Sequence, residues 1–203
     1  MKSRKLKCLP NVLTFCNMAI GILVICTMIH CESLFRIKLA CFMIYLAVII
    51  DMLDGFLARH LNAASEMGKQ LDSFADFITF GVAPIAIFLS VLDSVPWYMM
   101  LILALYPLAG GFRLARYNLQ GHCIFFTGLP ITAAGFILTT TLLINTYAYK
   151  EFTVKFIVFY CFLTLLLSLM MICRFRVNRI LKVKGSCDLK SNINGISEAK
   201  NWN

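Results

Sequence analysis

An all-α integral membrane protein with six membrane-crossing helices and both termini in the cytoplasm is the fold class this sequence predicts, and three observations predict it. First, 60% of the 203 residues are hydrophobic and only 14% are charged, with a mean hydropathy of +0.81. A soluble domain is about 45–50% apolar and about 25% charged. The polar surface left over cannot cover a globule in water, which excludes a soluble enzyme, a secreted disulfide scaffold and a disordered chain. Second, uncharged apolar runs recur at 10–29, 39–50, 77–92, 94–112, 123–149 and 156–173. Third, Lys and Arg are unevenly shared between the loops those runs define.

A crossing helix needs about 20 mostly apolar residues. The first run meets that length behind the basic residues Lys2, Arg4, Lys5 and Lys7. It is too long for a signal-peptide core, lacks a small-residue cleavage site and carries Asn11, Thr14 and Asn17, so it reads as a span near 10–30. The second and third runs are short, but each reaches about 20 residues once a pair of aspartates is admitted at one end. They give spans near 36–59 and 71–92, followed by spans near 95–115, 128–148 and 153–174. Pro84 and Pro107 are expected to kink their helices. Residues 1–180 form one transmembrane domain, and the polar stretch 181–203 is expected to be a mobile cytoplasmic tail.

Six spans put both termini on one side. That side receives 15 of the 19 Lys and Arg, and the other side receives only Arg36, Lys38, Lys150 and Lys155. The positive-inside rule makes the richer side cytoplasmic. The net charge of +9 is thus spread beside apolar runs, which suits anionic lipid headgroups and not nucleic acid. Nine Cys without a C-x-x-C pair, most of them inside apolar runs, read as small packing residues.

Charges within spans are costly and by default functional. Asp51, Asp54, Asp72 and Asp76 are four of the ten acids and lie at the cytoplasmic ends of the second and third helices. Asp51 and Asp54 are spaced i,i+3 and Asp72 and Asp76 i,i+4, so each pair shares a helix face. The short connection from Arg59 to Lys69 holds the two helices side by side. Carboxylates crowded at one depth repel unless cations bind. An all-oxygen site suits Mg²⁺ or Mn²⁺, with Ca²⁺ a further option. Four acids suit two ions about 3.5–4 Å apart. Gly55 and Ala58 share the face of Asp51 and Asp54, where small residues admit a close backbone or a flat ligand.

These residues carry a resemblance. Asp51, Asp54, Gly55, Ala58, Arg59, Gly68, Asp72 and Asp76 match D-x2-D-G-x2-A-R-x8-G-x3-D-x3-D at every fixed position. That pattern is similar to the signature of the CDP-alcohol phosphotransferases, six-helix integral membrane enzymes. The stretches 61–84, 111–118 (GFRLARYN) and 126–130 (FTGLP) resemble the membrane-embedded serine-accepting branch, the phosphatidylserine synthases. With the opening Pro10-Asn11, the likeness covers about residues 9–175. The soluble serine synthases need H-x-K, which none of His30, His60 and His122 begins.

The resemblance implies transfer of the phosphatidyl group of CDP-diacylglycerol to the hydroxyl of L-serine, giving phosphatidylserine and CMP. It implies metal ligation by Asp51, Asp54, Asp72 and Asp76, with Asp76 also the general base, favoured as carboxylate by a bound metal and a nearby helix N-terminus. It places Gly55, Ala58, Arg59 and Gly68 at the nucleotide and diphosphate, with Asn11 and Thr14 beside them. Arg113, Arg116, Asn118 and Asn17 are the candidates for holding serine or phosphate, since Arg captures carboxylates bidentately. Mn²⁺ or Mg²⁺, a lipid bilayer, a cell-membrane location and a homodimer come with it. Two other readings stand beside this one. A sibling enzyme would take glycerol 3-phosphate or inositol phosphate and should show a more cationic pocket. A divalent-cation transporter would use the acids as a path, although they gather at one face only.

Overall fold

The computed structural model describes residues 9–29, 33–60, 66–92, 94–119, 126–149, 152–173 and 176–177; the tail 181–203 lies outside them. Six helices in it are long and apolar enough to cross a membrane. They are α1 (Leu9–Met28), α2 (Leu34–His60), α3 (Glu66–Leu89), α4 (Trp97–Leu119), α5 (Ile131–Ala148) and α6 (Val154–Ile172). α3 begins earlier than the apolar pattern predicts. Its polar opening, Glu66-Met-Gly-Lys-Gln, is itself helical, so Asp72 and Asp76 sit in the second and third turns and not in the first. The helix dipole fades within one turn, and the expected help from a helix N-terminus at Asp76 is therefore withdrawn.

α3 is the central span, with half of it buried, a larger share than in any other span. It packs against α1, α4 and α5, while α1 also packs along α2, and α4 along α6. Apolar side chains point outward on every side: Phe35, Phe42, Ile49, Met52 and Phe56 on α2 are all exposed. In water these would form an intolerable patch; in lipid they are the solvated face. Among the described cysteines, Cys41 is a core residue, whereas Cys16, Cys26 and Cys173 face outward.

The buried threonine and serine hydroxyls of α5 and α6 are satisfied within their own helices. Thr139 and Thr146 on α5 donate to the carbonyls of Gly135 and Leu142, both at 2.8 Å. Thr164 and Ser168 on α6 do the same, at 2.7 and 2.8 Å. A hydroxyl that returns to the carbonyl one turn back leaves no polar group bare in an apolar interior. Dispersion contacts between helices then decide the packing, among them Phe88 stacked on Tyr160 with centroids 4.0 Å apart.

One departure from regular helix adjoins the acidic end of α3. Residues Phe77–Val82 of α3 form a π-helical segment between α-helical pieces, just ahead of Pro84, one of the prolines expected to kink its helix. Pro107 lies inside α4, which continues as one helix across it. Near the ends of α4 and α6, Phe126 and Thr127 pair antiparallel with Val177 and Arg176, a two-residue bridge that leaves the architecture all-α. Gly128 then turns with φ +80°; a Cβ there would lie 2.8 Å from the Met171 carbonyl oxygen, so the turn needs glycine on both counts.

Candidate active site

The end of α2 and the beginning of α3 meet at one end of the bundle. Asp51, Asp72 and Asp76 bring one carboxylate oxygen each to within 4.8 Å of one another. Asp54 is within electrostatic reach of all three but lies outside that trio. It is buried, and its Oδ2 accepts a 3.0 Å hydrogen bond from the hydroxyl of Thr14 on α1. One turn along α2 separates Asp54 from Asp51, which accounts for the difference in depth. The Oδ1 atom of Asp76 is buried with no hydrogen-bond partner among the described residues. Three converging carboxylates, one of which also carries an orphaned buried acceptor, fit a hard divalent cation.

The remaining candidates divide by what they touch. Thr14 is tied to Asp54, so α1 is latched to α2 at the acids. Asn17, one turn further in, is fully buried, and its side-chain amide has no partner among the described residues. Its backbone carbonyl accepts a 3.1 Å bond from the Thr79 hydroxyl. Asn11 is half-buried in the first turn of α1. Gly55 faces open space: a Cβ there would meet nothing within 4 Å. Gly68 is half-buried on α3. Ala58 and Arg59 continue α2, but their side chains lie outside the described residues.

The three polar residues of α4 point different ways. Arg113 is buried, and its guanidinium interacts electrostatically with Asp76. Arg116 instead donates from Nη1 to the Ile172 carbonyl at 3.4 Å, where the last turn of α6 leaves carbonyls without helical partners. Asn118 donates from Nδ2 to the Ser73 hydroxyl at 2.9 Å, and Ser73 donates to the Lys69 carbonyl at 3.1 Å. Ser73 therefore straps α3 to α4 between the two aspartates of α3, a part the sequence did not advertise, since it falls in the unspecified spacer of the motif. Beside this strap, a cleft of about 420 Å³ runs between α3 and α4, lined chiefly by Phe74, Phe77, Gly111 and Leu114. None of the four aspartates lines it.

Comparison with known proteins meets this geometry. The model of the CDP-alcohol phosphatidyltransferase family matches residues 7–183, nearly the whole chain. The chain belongs to that family. Among curated relatives it is 38% identical over 132 residues to the CDP-diacylglycerol–serine O-phosphatidyltransferase of Bacillus subtilis, covering 64% of this chain and 72% of that one. It is 32% identical over 185 residues to the protein of the same name from Helicobacter pylori, covering 89% and 76%. An archaetidylserine synthase of Methanothermobacter thermautotrophicus is 36% identical over 152 residues, covering 73% and 63%. Family membership and six apolar spans make this chain a multi-pass membrane transferase.

Proposed function

We propose that this transferase moves the phosphatidyl group of CDP-diacylglycerol to the hydroxyl of L-serine, releasing CMP. The observation that carries the reading is the convergence of Asp51, Asp72 and Asp76 on the family's motif, together with relatives named for serine as acceptor. Asp51, Asp72 and Asp76, with Asp54 beside them, would hold divalent ions, Mn²⁺ or Mg²⁺, whose charge offsets that of the diphosphate. Asp76 takes the proton from the serine hydroxyl as its oxygen attacks the phosphorus bearing diacylglycerol. The P–O bond to the bridging oxygen breaks, and CMP leaves with that oxygen. Arg113, buried, within electrostatic range of Asp76 and with its Nε unpartnered among the described residues, is the candidate we favour to hold the serine carboxylate. Asn17, at 0% exposure with an unpartnered amide, is a second buried polar candidate. Arg116 and Asn118 each have one protein partner and each keeps a buried atom, Nη2 and Oδ1, unpartnered among the described residues, so both stay candidates for serine or phosphate. The bias of Lys and Arg supports the reading that the acidic end lies at the cytoplasmic face of the cell membrane. A homodimer rests on the family resemblance alone.

The test is CMP release from the purified full chain, supplied with CDP-diacylglycerol, Mn²⁺ or Mg²⁺ and one alcohol at a time. Release with L-serine that stops on adding EDTA is expected; release with glycerol 3-phosphate in its place would assign a sibling activity, and cation flux without release would assign transport. A second prediction uses the space at Gly55. Gly55→Leu adds a side chain whose Cβ would meet nothing within 4 Å, so the melting temperature should hold. If that space admits the nucleotide, KM for CDP-diacylglycerol should rise at least about tenfold, the cost of one blocked contact worth about 1.4 kcal/mol. An unchanged KM would remove Gly55 from the nucleotide site.

A further inference from the structure

The π-helical segment of α3 begins one residue after Asp76 and ends two residues before Pro84. Proline has no N–H for the carbonyl four residues back, and its ring crowds that carbonyl. Here that carbonyl belongs to Phe80, and widening of the helix relieves the crowding. The C-terminal edge of the segment follows the wider pattern, with the Ala83 N–H reaching the Ile78 carbonyl, five residues back. Such segments inside α-helices recur at functional sites.

Other helices hold this one in place. The hydroxyl of Tyr106 on α4, fully buried, donates to the Phe80 carbonyl at 3.0 Å. From α1, the Asn17 carbonyl accepts the Thr79 hydroxyl at 3.1 Å. The backbones of α1 and α5 come close at Gly21 and Gly135, where an added Cβ would collide with Thr79 and with the Phe80 backbone. A wider turn changes the rotation of everything after it relative to everything before it. Below the segment, Asp72 and Asp76 face Asp51; above it, Ala83, Pro84, Ile85, Ile87 and Phe88 are buried in the core. One helix thus meets two different rotational demands, and the phase between them is set at Phe80.

We propose that Tyr106 is a positioning residue for the acidic site: by holding the Phe80 carbonyl it fixes the π-helical turn, and that turn aims Asp76 at Asp51 and Asp72. Tyr106 touches no reactant. Its part in catalysis rests on the metal-dependent transferase reading, whereas its part in shaping the cation site does not.

The experiment compares Tyr106→Phe with Tyr160→Phe in the full chain. Tyr160 is a control of the same kind, fully buried, with its hydroxyl 3.5 Å from the Pro84 carbonyl on the far side of the segment. Mn²⁺ affinity is read by the electron paramagnetic resonance signal of free Mn²⁺, without substrate. Tyr106→Phe should weaken Mn²⁺ binding about tenfold, the usual cost of losing a group that orients a ligand. It should lower kcat about tenfold with KM for CDP-diacylglycerol within about twofold. Tyr160→Phe should bind Mn²⁺ as the parent does, whatever it costs in melting temperature. Thr79→Val removes the other hydrogen bond to the segment with little change of shape, and carries the same expectation should Tyr106→Phe fail to fold. Parent-like Mn²⁺ affinity in the Tyr106 and Thr79 variants, equal weakening in the Tyr160 variant, or a parent that binds no Mn²⁺ would overturn the proposal. A parent that binds Mn²⁺ but releases no CMP would overturn the transferase reading and leave the Mn²⁺ comparison standing.

Discussion

Asp76→Asn is expected to lower CMP release at least about 1,000-fold, because under the proposed mechanism a proton acceptor and a cation ligand are lost together and each is worth several kcal/mol of transition-state stabilisation. The substitution keeps the shape of the side chain. It exchanges an orphaned buried acceptor for an amide that can donate to a neighbouring carboxylate. It also removes one charge from a group in which Asp51, Asp54 and Asp72 all repel Asp76. The melting temperature of metal-free protein should therefore rise or hold; relief of about 1 kcal/mol raises it by about 2–4 °C in a chain of this size. On the proposed reading Asp51, Asp72 and Gly55 share in CDP-diacylglycerol binding, so that binding should survive in large part. Equal loss of turnover and lipid binding would remove Asp76 from the role of base. A fall in melting temperature would show that the carboxylate is a structural partner and not a strained functional group.

That conflict between stability and function is also why the acids could be read from sequence. Aspartates in otherwise apolar spans have no structural excuse, and alternation of spans brings the end of α2 to the start of α3 whatever the details of packing. The separation of Asp54 from the other three was not legible. Spacing puts it on the face of Asp51, but its partner is set by the Thr14 hydroxyl on α1, and contacts between distant segments leave no periodic trace. Arg113 and Arg116 look equivalent in sequence, one turn apart. They separate because one is buried within electrostatic range of Asp76 while the other donates to the carbonyl of Ile172. Pro84 announced a disturbance in α3 but not its form. Whether a proline yields a bend or a widened turn depends on which neighbours hold the freed carbonyl, and Tyr106, 26 residues away, carries no mark that sequence reading could use.

Gly135→Val is expected to be the most damaging change outside the acidic end. A Cβ at Gly135 would stand 2.7 Å from the Phe80 carbonyl oxygen and 3.0 Å from its Cα. Backbone cannot swing aside as a flexible side chain can, so α5 would have to move off α3. Overpacking of this kind costs about 3 kcal/mol, at the upper end of its usual range. In a membrane the loss falls on the contact that holds helices together, since small residues that let backbones approach are the chief source of interhelical dispersion energy. The Phe80 carbonyl is also the one Tyr106 holds, so the displacement would reach Asp76. Gly135→Val should thus lose melting temperature and Mn²⁺ affinity together, whereas Tyr106→Phe loses mainly the affinity. Thermal unfolding in detergent and the free Mn²⁺ signal, measured on one preparation, separate the two. A Gly135→Val protein with parent-like melting would mean that α5 does not pack against the π-helical turn as described, and the clamp on Phe80 would lose one of its sides.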